Sequence, residues 1–355
     1  FDIEGGVDAH GAYLVPGFID IHTHGAIGYD ASDCRADEIP ALAGYYAAHG
    51  VTSFCFTTMT IGEDALAQAM RNIRGYERQG AQAKCTGVHL EGPFLSAEQS
   101  GAQDPETLKA PADADWKSLI DRWGGIRMVG AAPELPGAME LGAALAKRGI
   151  VASIAHSNAF EPEICAAVQH GFSDVTHLYS GCSTFVRRNG FRIPGVVECA
   201  LAWDELTVQV IADGKHLPET MLKLIWNAKG TDKISLITDG LDFSASELEE
   251  GSVYTQQNGM DVVYENGVMK LMNRQAFAGS VATTNRLLRV AAGAGIPWTE
   301  ALQMLTISPA KRIGLEKTKG RLAAGYDADM VLLDNRLEVT GVVSGGRIIR
   351  WERNV

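Results

Sequence analysis

Six stretches of this sequence end an apolar run in side chains that bind metals or move protons. They are His22-Thr23-His24, His89-Leu90-Glu91-Gly92-Pro93, His156-Ser157-Asn158, His177, Ala212-Asp213-Gly214-Lys215-His216 and Thr238-Asp239-Gly240. Residues at i and i+2 of a strand project to the same face, so His22 and His24 can ligate one ion together. An isolated H-x-H is weak evidence and is more often a pair of packing or surface histidines. The further strand ends carrying His, Glu or Asp alter that weighting, because unpaired polar groups in a core cost several kcal/mol each.

Glu91, His156 and His177 make one candidate metal site, and His22, His24 and Asp239 a second, with Glu91 as a bridge. Imidazole and carboxylate donors suit a divalent ion, zinc or ferrous iron, with open positions left for water. Asp239 is the candidate general base and acid: it can take a proton from an attacking water and later hand it to a departing amine. His216 is the candidate electrophile, donating a hydrogen bond to a carbonyl oxygen as it becomes an oxyanion. The plain alternatives are a loop cap for Asp239 and an ordinary loop histidine for His216. His89 shares a face with Glu91 and reads as a support, while His10, His49 and His170 have no partner pattern. Arg187, Arg188 and Arg192 form a small basic cluster, either a solvated loop or an anion site, since guanidinium groups hold phosphate bidentately.

The elements that must position these residues follow an even rhythm. Apolar, β-rich runs occupy 18–24, 52–58, 86–91, 126–131, 151–156, 174–179, 207–211 and 233–238. Between them, segments such as 39–49, 64–78, 138–147 and 162–169 repeat apolar residues at three and four, as helices do. Strand and helix alternating eight times predict an α/β fold, a TIM-like (β/α)8 barrel, with an open doubly wound sheet as the alternative. The barrel is placed at 17–309, with a β-hairpin insertion at 252–271 where Asn258-Gly259 and Asn266-Gly267 mark turns. Residues 1–16 and 310–355 are assigned to a small β-sandwich shared by the two chain ends. The chain opens on Phe1, and the N-terminal part of that sandwich is expected to be incomplete.

The chain has 355 residues, 46% of them hydrophobic and 21% charged, enough for a large core. Its 43 acidic against 31 basic residues give a net charge of -12, which disfavours nucleic acid and anionic membranes and points to a small-molecule partner. Six cysteines without a C-x-x-C pair suggest reduced thiols, and no apolar run reaches the roughly 18 to 20 residues of a membrane span. The expected location is the cytoplasm.

Taken together the motifs are more specific than any one of them. Pro16-Gly17-Phe18-Ile19-Asp20-Ile21-His22-Thr23-His24-Gly25 resembles the opening of amidohydrolase-superfamily barrels, and Gly325-Tyr326-Asp327-Ala328-Asp329 resembles their closing segment. His89-Leu90-Glu91-Gly92-Pro93-Phe94, Ala155-His156-Ser157-Asn158-Ala159, Thr176-His177-Leu178, Ala212-Asp213-Gly214-Lys215-His216 and Ala278-Gly279-Ser280 resemble N-acetylglucosamine-6-phosphate deacetylases. Many binuclear relatives bridge their metals with a carboxylated lysine, where the third strand here offers Glu91.

The resemblance implies hydrolysis of the acetamide of a phosphorylated N-acetyl amino sugar to free amine and acetate. It implies that Glu91, His156 and His177 bind the principal metal, that Asp239 is the acid and base, and that His216 steadies the acetyl carbonyl. It also implies that Arg192, in Arg192-Ile193-Pro194-Gly195, reaches the sugar phosphate of a neighbouring subunit, hence a homodimer, and one or two metals per subunit, since some members bind a second ion through an H-x-H pair such as His22 and His24 and others lack that pair. Three departures from the family pattern stand out. Gln103, in Gly101-Ala102-Gln103, stands where a lid histidine is common. Ser180-Gly181 replaces the usual Asn-Ala pair after His177, and the stretch from there to Arg192 is longer. The competing readings are an amidohydrolase for N-acetyl amino acids, isoaspartyl peptides or cyclic amides, and a non-catalytic binding protein on the same barrel.

Overall fold

The structure, a computed structural model, describes residue 9 and residues 11–76 and 82–351. The chain enters as β1 (Tyr13–Pro16) and continues into β2 (Phe18–Thr23), which is buried along its whole length. Short strands β3 (Gly25–Ala26) and β4 (Tyr29–Asp30) lead to α1 (Ile39–Ala48). The alternation then runs β5 (Val51–Thr58), α2 (Glu63–Arg74), β6 (Lys84–Glu91), α3 (Trp116–Arg122), β7 (Ile126–Ala131), α4 (Ala138–Lys147), β8 (Val151–Ile154), α5 (Glu161–Gln169) and β9 (Phe172–Val175). A hairpin, β10 (Val186–Arg188) and β11 (Phe191–Ile193), precedes α6 (Val196–Ala202), β12 (Thr207–Ile211), α7 (Glu219–Lys229) and β13 (Ile234–Ile237).

Strands β2, β5, β6, β7, β8, β9, β12 and β13 pair in that order as one parallel sheet. The sheet closes where Asp239 N–H donates to the His22 carbonyl at 3.0 Å and Thr23 bridges Gly240. Closure makes this the (β/α)8 barrel and excludes the open sheet. β2, β5, β8 and β13 are buried at every position because helices cover one side and barrel contents the other, which is why they read as apolar runs rather than alternations. Three strands stop sooner than their apolar pattern suggests, at Ile154, Val175 and Ile237. His156 (φ 42°), His177 (φ 27°) and Asp239 (φ 48°), just beyond those ends, are in the left-handed region and cannot continue the ladder.

After β13 come β14 (Val253–Thr255), β15 (Asp261–Glu265) and β16 (Val268–Leu271). The insertion expected as a hairpin is a three-stranded antiparallel sheet, because both Asn-Gly pairs reverse the chain. Asn266 and Gly267 have φ of 59° and 78°, the two-residue turn that matches strand twist. Then follow α8 (Thr284–Gly293), α9 (Trp298–Gln303) and α10 (Ile307–Arg312), whose Ala310 packs with Ile313 against Ile19, Ile21, Ile211 and Ile237 of the barrel strands.

The chain ends meet in an antiparallel sheet of β1, β17 (Met330–Leu333), β18 (Val339–Ser344) and β19 (Arg347–Trp351). The closing motif holds it to the barrel: buried Lys319 pairs with Asp327 at 2.8 Å and Asp329 at 2.6 Å, and Asp329 accepts from Gly345 N–H at 2.7 Å. Residues 1–8 and 10 of the segment assigned to the N-terminal part of this unit, His10 among them, lie outside the described residues, as do 77–81 and 352–355.

Candidate metal centre and active site

Both candidate metal groups converge at one end of the barrel. Glu91, at the end of β6, stands between them and is 2% exposed. Its Oε1 lies 2.8 Å from His177 Nε2 and 3.3 Å from His156 Nε2, and those two nitrogens are 3.2 Å apart. Its Oε2 lies 3.2 Å from His24 Nε2, while His22 Nε2 is 3.7 Å from Oε1. Asp239 Oδ1 is 3.2 Å from both His22 Nε2 and His24 Nε2. Every residue of the two sequence-derived groups is therefore present, with Glu91 facing both.

The orientation of each imidazole is set from behind. Nδ1–H of His24, His156 and His177 donates to the carbonyl oxygens of Thr57, Gln99 and Ser180 at 3.0, 2.7 and 3.1 Å. His22 Nδ1–H donates to Gln209 Oε1 at 3.0 Å, and Gln209 is itself fixed because its Nε2 donates to buried Asp174 at 2.7 Å. With protons on Nδ1, the Nε2 lone pairs point at one another and at the carboxylates. His22 Nε2 is fully buried without a hydrogen-bond partner.

This arrangement fits cations. Burial opposes ionisation of Glu91 and Asp239, yet the neighbouring imidazoles hold both carboxyls well below the usual range. Burial likewise opposes charge on His22, and Glu91 and Asp239 raise its pKa to about 9. Among the described residues the ion-pair partners of Glu91 and Asp239 are histidines. Without a metal, protonated imidazoles balance the two buried carboxylates, and a divalent ion at the Nε2 atoms would take over that charge and leave the rings neutral.

A cavity of about 350 Å³ opens over these groups, lined by His24, Glu91, His156, His177 and Asp239 below and by Tyr179, Ser180, Gly181, His216 and Phe277 above. His216 Nδ1–H donates to Asp213 Oδ2 at 2.8 Å, leaving Nε2 as its second ring nitrogen, and its ring meets Phe277 edge-on. Gly181 (φ 56°) is required: a Cβ there would stand 2.8 Å from His156 Nδ1. Gln103 also lines the cavity, but it is buried and its amide is spent on Glu91 and Thr60. Arg187, Arg188 and Arg192 sit elsewhere, on the exposed β10–β11 hairpin. His89 packs edge-on against His22 with neither ring nitrogen bonded, and burial holds its pKa well below the ordinary value.

Sequence reasoning missed the holders. Asp213 belongs to a motif already singled out, and its spacing of three from His216 was the available signal. Gln209 and Asp174 were legible only as polar interruptions of apolar strands, and the backbone carbonyls have no signature.

The sequence pattern of the amidohydrolase family matches residues 13–349. The chain is 34% identical over 345 residues to the N-acetylglucosamine-6-phosphate deacetylase of Bacillus subtilis, covering 94% of this chain and 84% of that one. It is 32% identical to the human deacetylase of that name over 97% of this chain and 85% of that one. Among solved structures, the deacetylase of Pasteurella multocida superposes with a TM-score of 0.88 at 27% identity, covering 98% of this chain and 90% of that one. That of Mycobacterium smegmatis, a mutant in complex with N-acetyl-D-glucosamine-6-phosphate, superposes with a TM-score of 0.84 at 31% identity over 96% and 87%. With both metal groups, the barrel that carries them and these likenesses in agreement, the chain belongs to the amidohydrolase family and, within it, groups with the N-acetylglucosamine-6-phosphate deacetylases.

Proposed function

We propose that this protein hydrolyses the acetamide of N-acetylglucosamine-6-phosphate to acetate and the free amino-sugar phosphate. The observation that carries the reading is the convergence of Glu91, Asp239 and the Nε2 atoms of His22, His24, His156 and His177 beneath a cavity that also presents His216. Glu91, His156 and His177 would hold one divalent ion, and His22, His24 and Asp239 a second, with Glu91 shared; zinc suits this donor set, and ferrous iron is the second choice. Such ions, when bound, polarise an amide carbonyl and make water acidic.

The protein's own groups supply the rest. Asp239 takes the proton of the attacking water and returns it to the departing nitrogen. Because Asp213 accepts from Nδ1, His216 donates from Nε2 to the developing oxyanion in its imidazolium form, whose charge the Asp213 carboxylate compensates. Ser180 and Gly181, which line the cavity, would border the sugar, whereas Gln103 has its amide engaged by Glu91 and Thr60. The cavity lining has no Lys or Arg among the described residues, so a phosphate there needs a cation from elsewhere. Arg192, exposed on its hairpin, is proposed to reach the cavity of a second copy, which makes the active form a homodimer. A cytoplasmic location is proposed from the free cysteines. The names of the relatives favour the sugar phosphate over N-acetyl amino acids, isoaspartyl peptides, cyclic amides or a non-catalytic role.

The test is acetate release by metal-replete protein from N-acetylglucosamine-6-phosphate, from its galacto epimer and from N-acetyl amino acids, with metal content measured on the same sample. Turnover of the gluco compound above the others is expected. Metal-loaded protein that releases acetate only from amino acids would overturn the assignment.

A further inference from the structure

Gln103 occupies a position that a role at the substrate does not explain. It is 3% exposed, and its amide is oriented without ambiguity: Oε1 accepts from Thr60 N–H at 2.7 Å, so the Nε2 group must face Glu91, to whose Oε2 it donates at 2.8 Å. Thr60 also grips the same residue from behind, its Oγ1 donating to the Glu91 carbonyl at 3.0 Å. The two oxygens of Glu91 serve different neighbours. Oε1 faces His156 and His177, with His22 Nε2 farther off at 3.7 Å, whereas Oε2 faces His24 and Gln103.

A carboxylate's terminal torsion is soft, and rotation would exchange or misalign these assignments. We propose that Gln103 is a positioning residue that locks this rotation, committing Glu91 Oε1 to the His156 and His177 group and leaving Oε2 to be shared between Gln103 and His24 of the second group. The consequence is unequal affinity. The first group receives an oxygen without a competing amide donor, and the second receives one whose electron density is partly drawn by the Gln103 N–H. Partners that orient a ligand in this way are typically worth about 10- to 100-fold in metal affinity.

The inference rests on the metal reading above, and the test separates the two. Metal-free protein is titrated with zinc ion alone against a competing chelator, comparing wild type, Gln103→Met and Asn258→Ala. Asn258 Nδ2 donates to the Ala102 carbonyl at 2.8 Å, so its loss loosens the same loop without touching the amide. The expected result is tight zinc binding by wild type and Asn258→Ala, and a dissociation constant 10- to 100-fold higher for the first ion in Gln103→Met. Melting of the metal-free proteins reports the structural cost separately, and Gln103→Ala repeats the comparison where the Met side chain is not accommodated. If wild type binds zinc and both Gln103 variants bind within twofold of it, the positioning role fails alone. An equal loss in Asn258→Ala assigns the effect to the loop and also overturns it. If wild type binds no zinc, the metal reading itself falls.

Discussion

Replacing Asp213 by Asn tests the proposed role of His216 through a residue placed to act only through it. Asp213 is 2% exposed, and both its oxygens are engaged: Oδ1 accepts from the N–H groups of Lys215 and His216 at 2.8 and 2.9 Å, and Oδ2 accepts from His216 Nδ1–H. Burial raises the Asp213 pKa, and the His216 contact outweighs it to hold the carboxyl below its ordinary value. In Asp213→Asn the amide oxygen must stay on the two backbone donors, because the alternative sets an NH2 against two N–H groups. The Asn NH2 then faces His216 Nδ1, which becomes an acceptor, and the ring is neutral with its proton on Nε2. A charge-assisted donor is thereby replaced by a neutral one, about half as strong.

The loss is about 1.5 to 3 kcal/mol of transition-state stabilisation, or roughly 10- to 100-fold in kcat/KM, smaller than the roughly 10²- to 10³-fold for removing an oxyanion donor outright by His216→Ala. Acetate release from the sugar phosphate, with metal content measured beside it, reads both variants. The decisive comparison is the double variant. If Asp213 works only through His216, adding Asp213→Asn to His216→Ala changes kcat/KM by less than about twofold, against the additivity of independent sites. Losses that multiply, or metal lost from the single Asp213 variant, would refute the reasoning.

Other perturbations read other parts of the molecule. Arg192→Ala is expected to raise KM far more for the phosphorylated sugar than for its unphosphorylated form, and to act from the partner's side; equal effects, or sedimentation as monomer at assay concentration, would remove it from the phosphate site. Gly181→Ala places a Cβ 2.8 Å from His156 Nδ1 and 3.2 Å from the Gln99 carbonyl that His156 uses, at a φ of 56°. It is expected to destabilise the fold by about 1 to 3 kcal/mol and to weaken zinc binding at least tenfold; unchanged melting and titration would argue against the packing. Asp242, raised to about 7 by burial and then by the charge of Asp30, favours its protonated form in the fold. Its contribution is present below about pH 4 and lost as pH rises through 7, so Asp242→Asn should stabilise the protein progressively between those values, by up to about 4 kcal/mol, and leave it unchanged at pH 3.5. Urea unfolding across that range checks the sign.

The residues that were legible in the sequence are those whose chemistry leaves no substitute. Glu91, His156, His177, His22, His24 and Asp239 are polar types at the ends of apolar strands, and a barrel concentrates strand ends at one mouth. The residues that were not legible hold them in place, and the reason is geometric. His22 is oriented by Gln209, distant in sequence, through a contact that exists only once the barrel has closed. His156 and His177 are oriented by carbonyls, which every residue has. Gln103 was visible as a departure from a pattern, yet nothing in its type said that it would turn toward Glu91 rather than toward a substrate. Closure also explains why Asp239 tolerates a left-handed backbone. It is fixed by bonds from elements on either side: its N–H meets the His22 carbonyl and Ser280 N–H meets its carbonyl. The same barrel closure that completes the fold therefore sustains the strained position from which the Asp239 side chain faces inward.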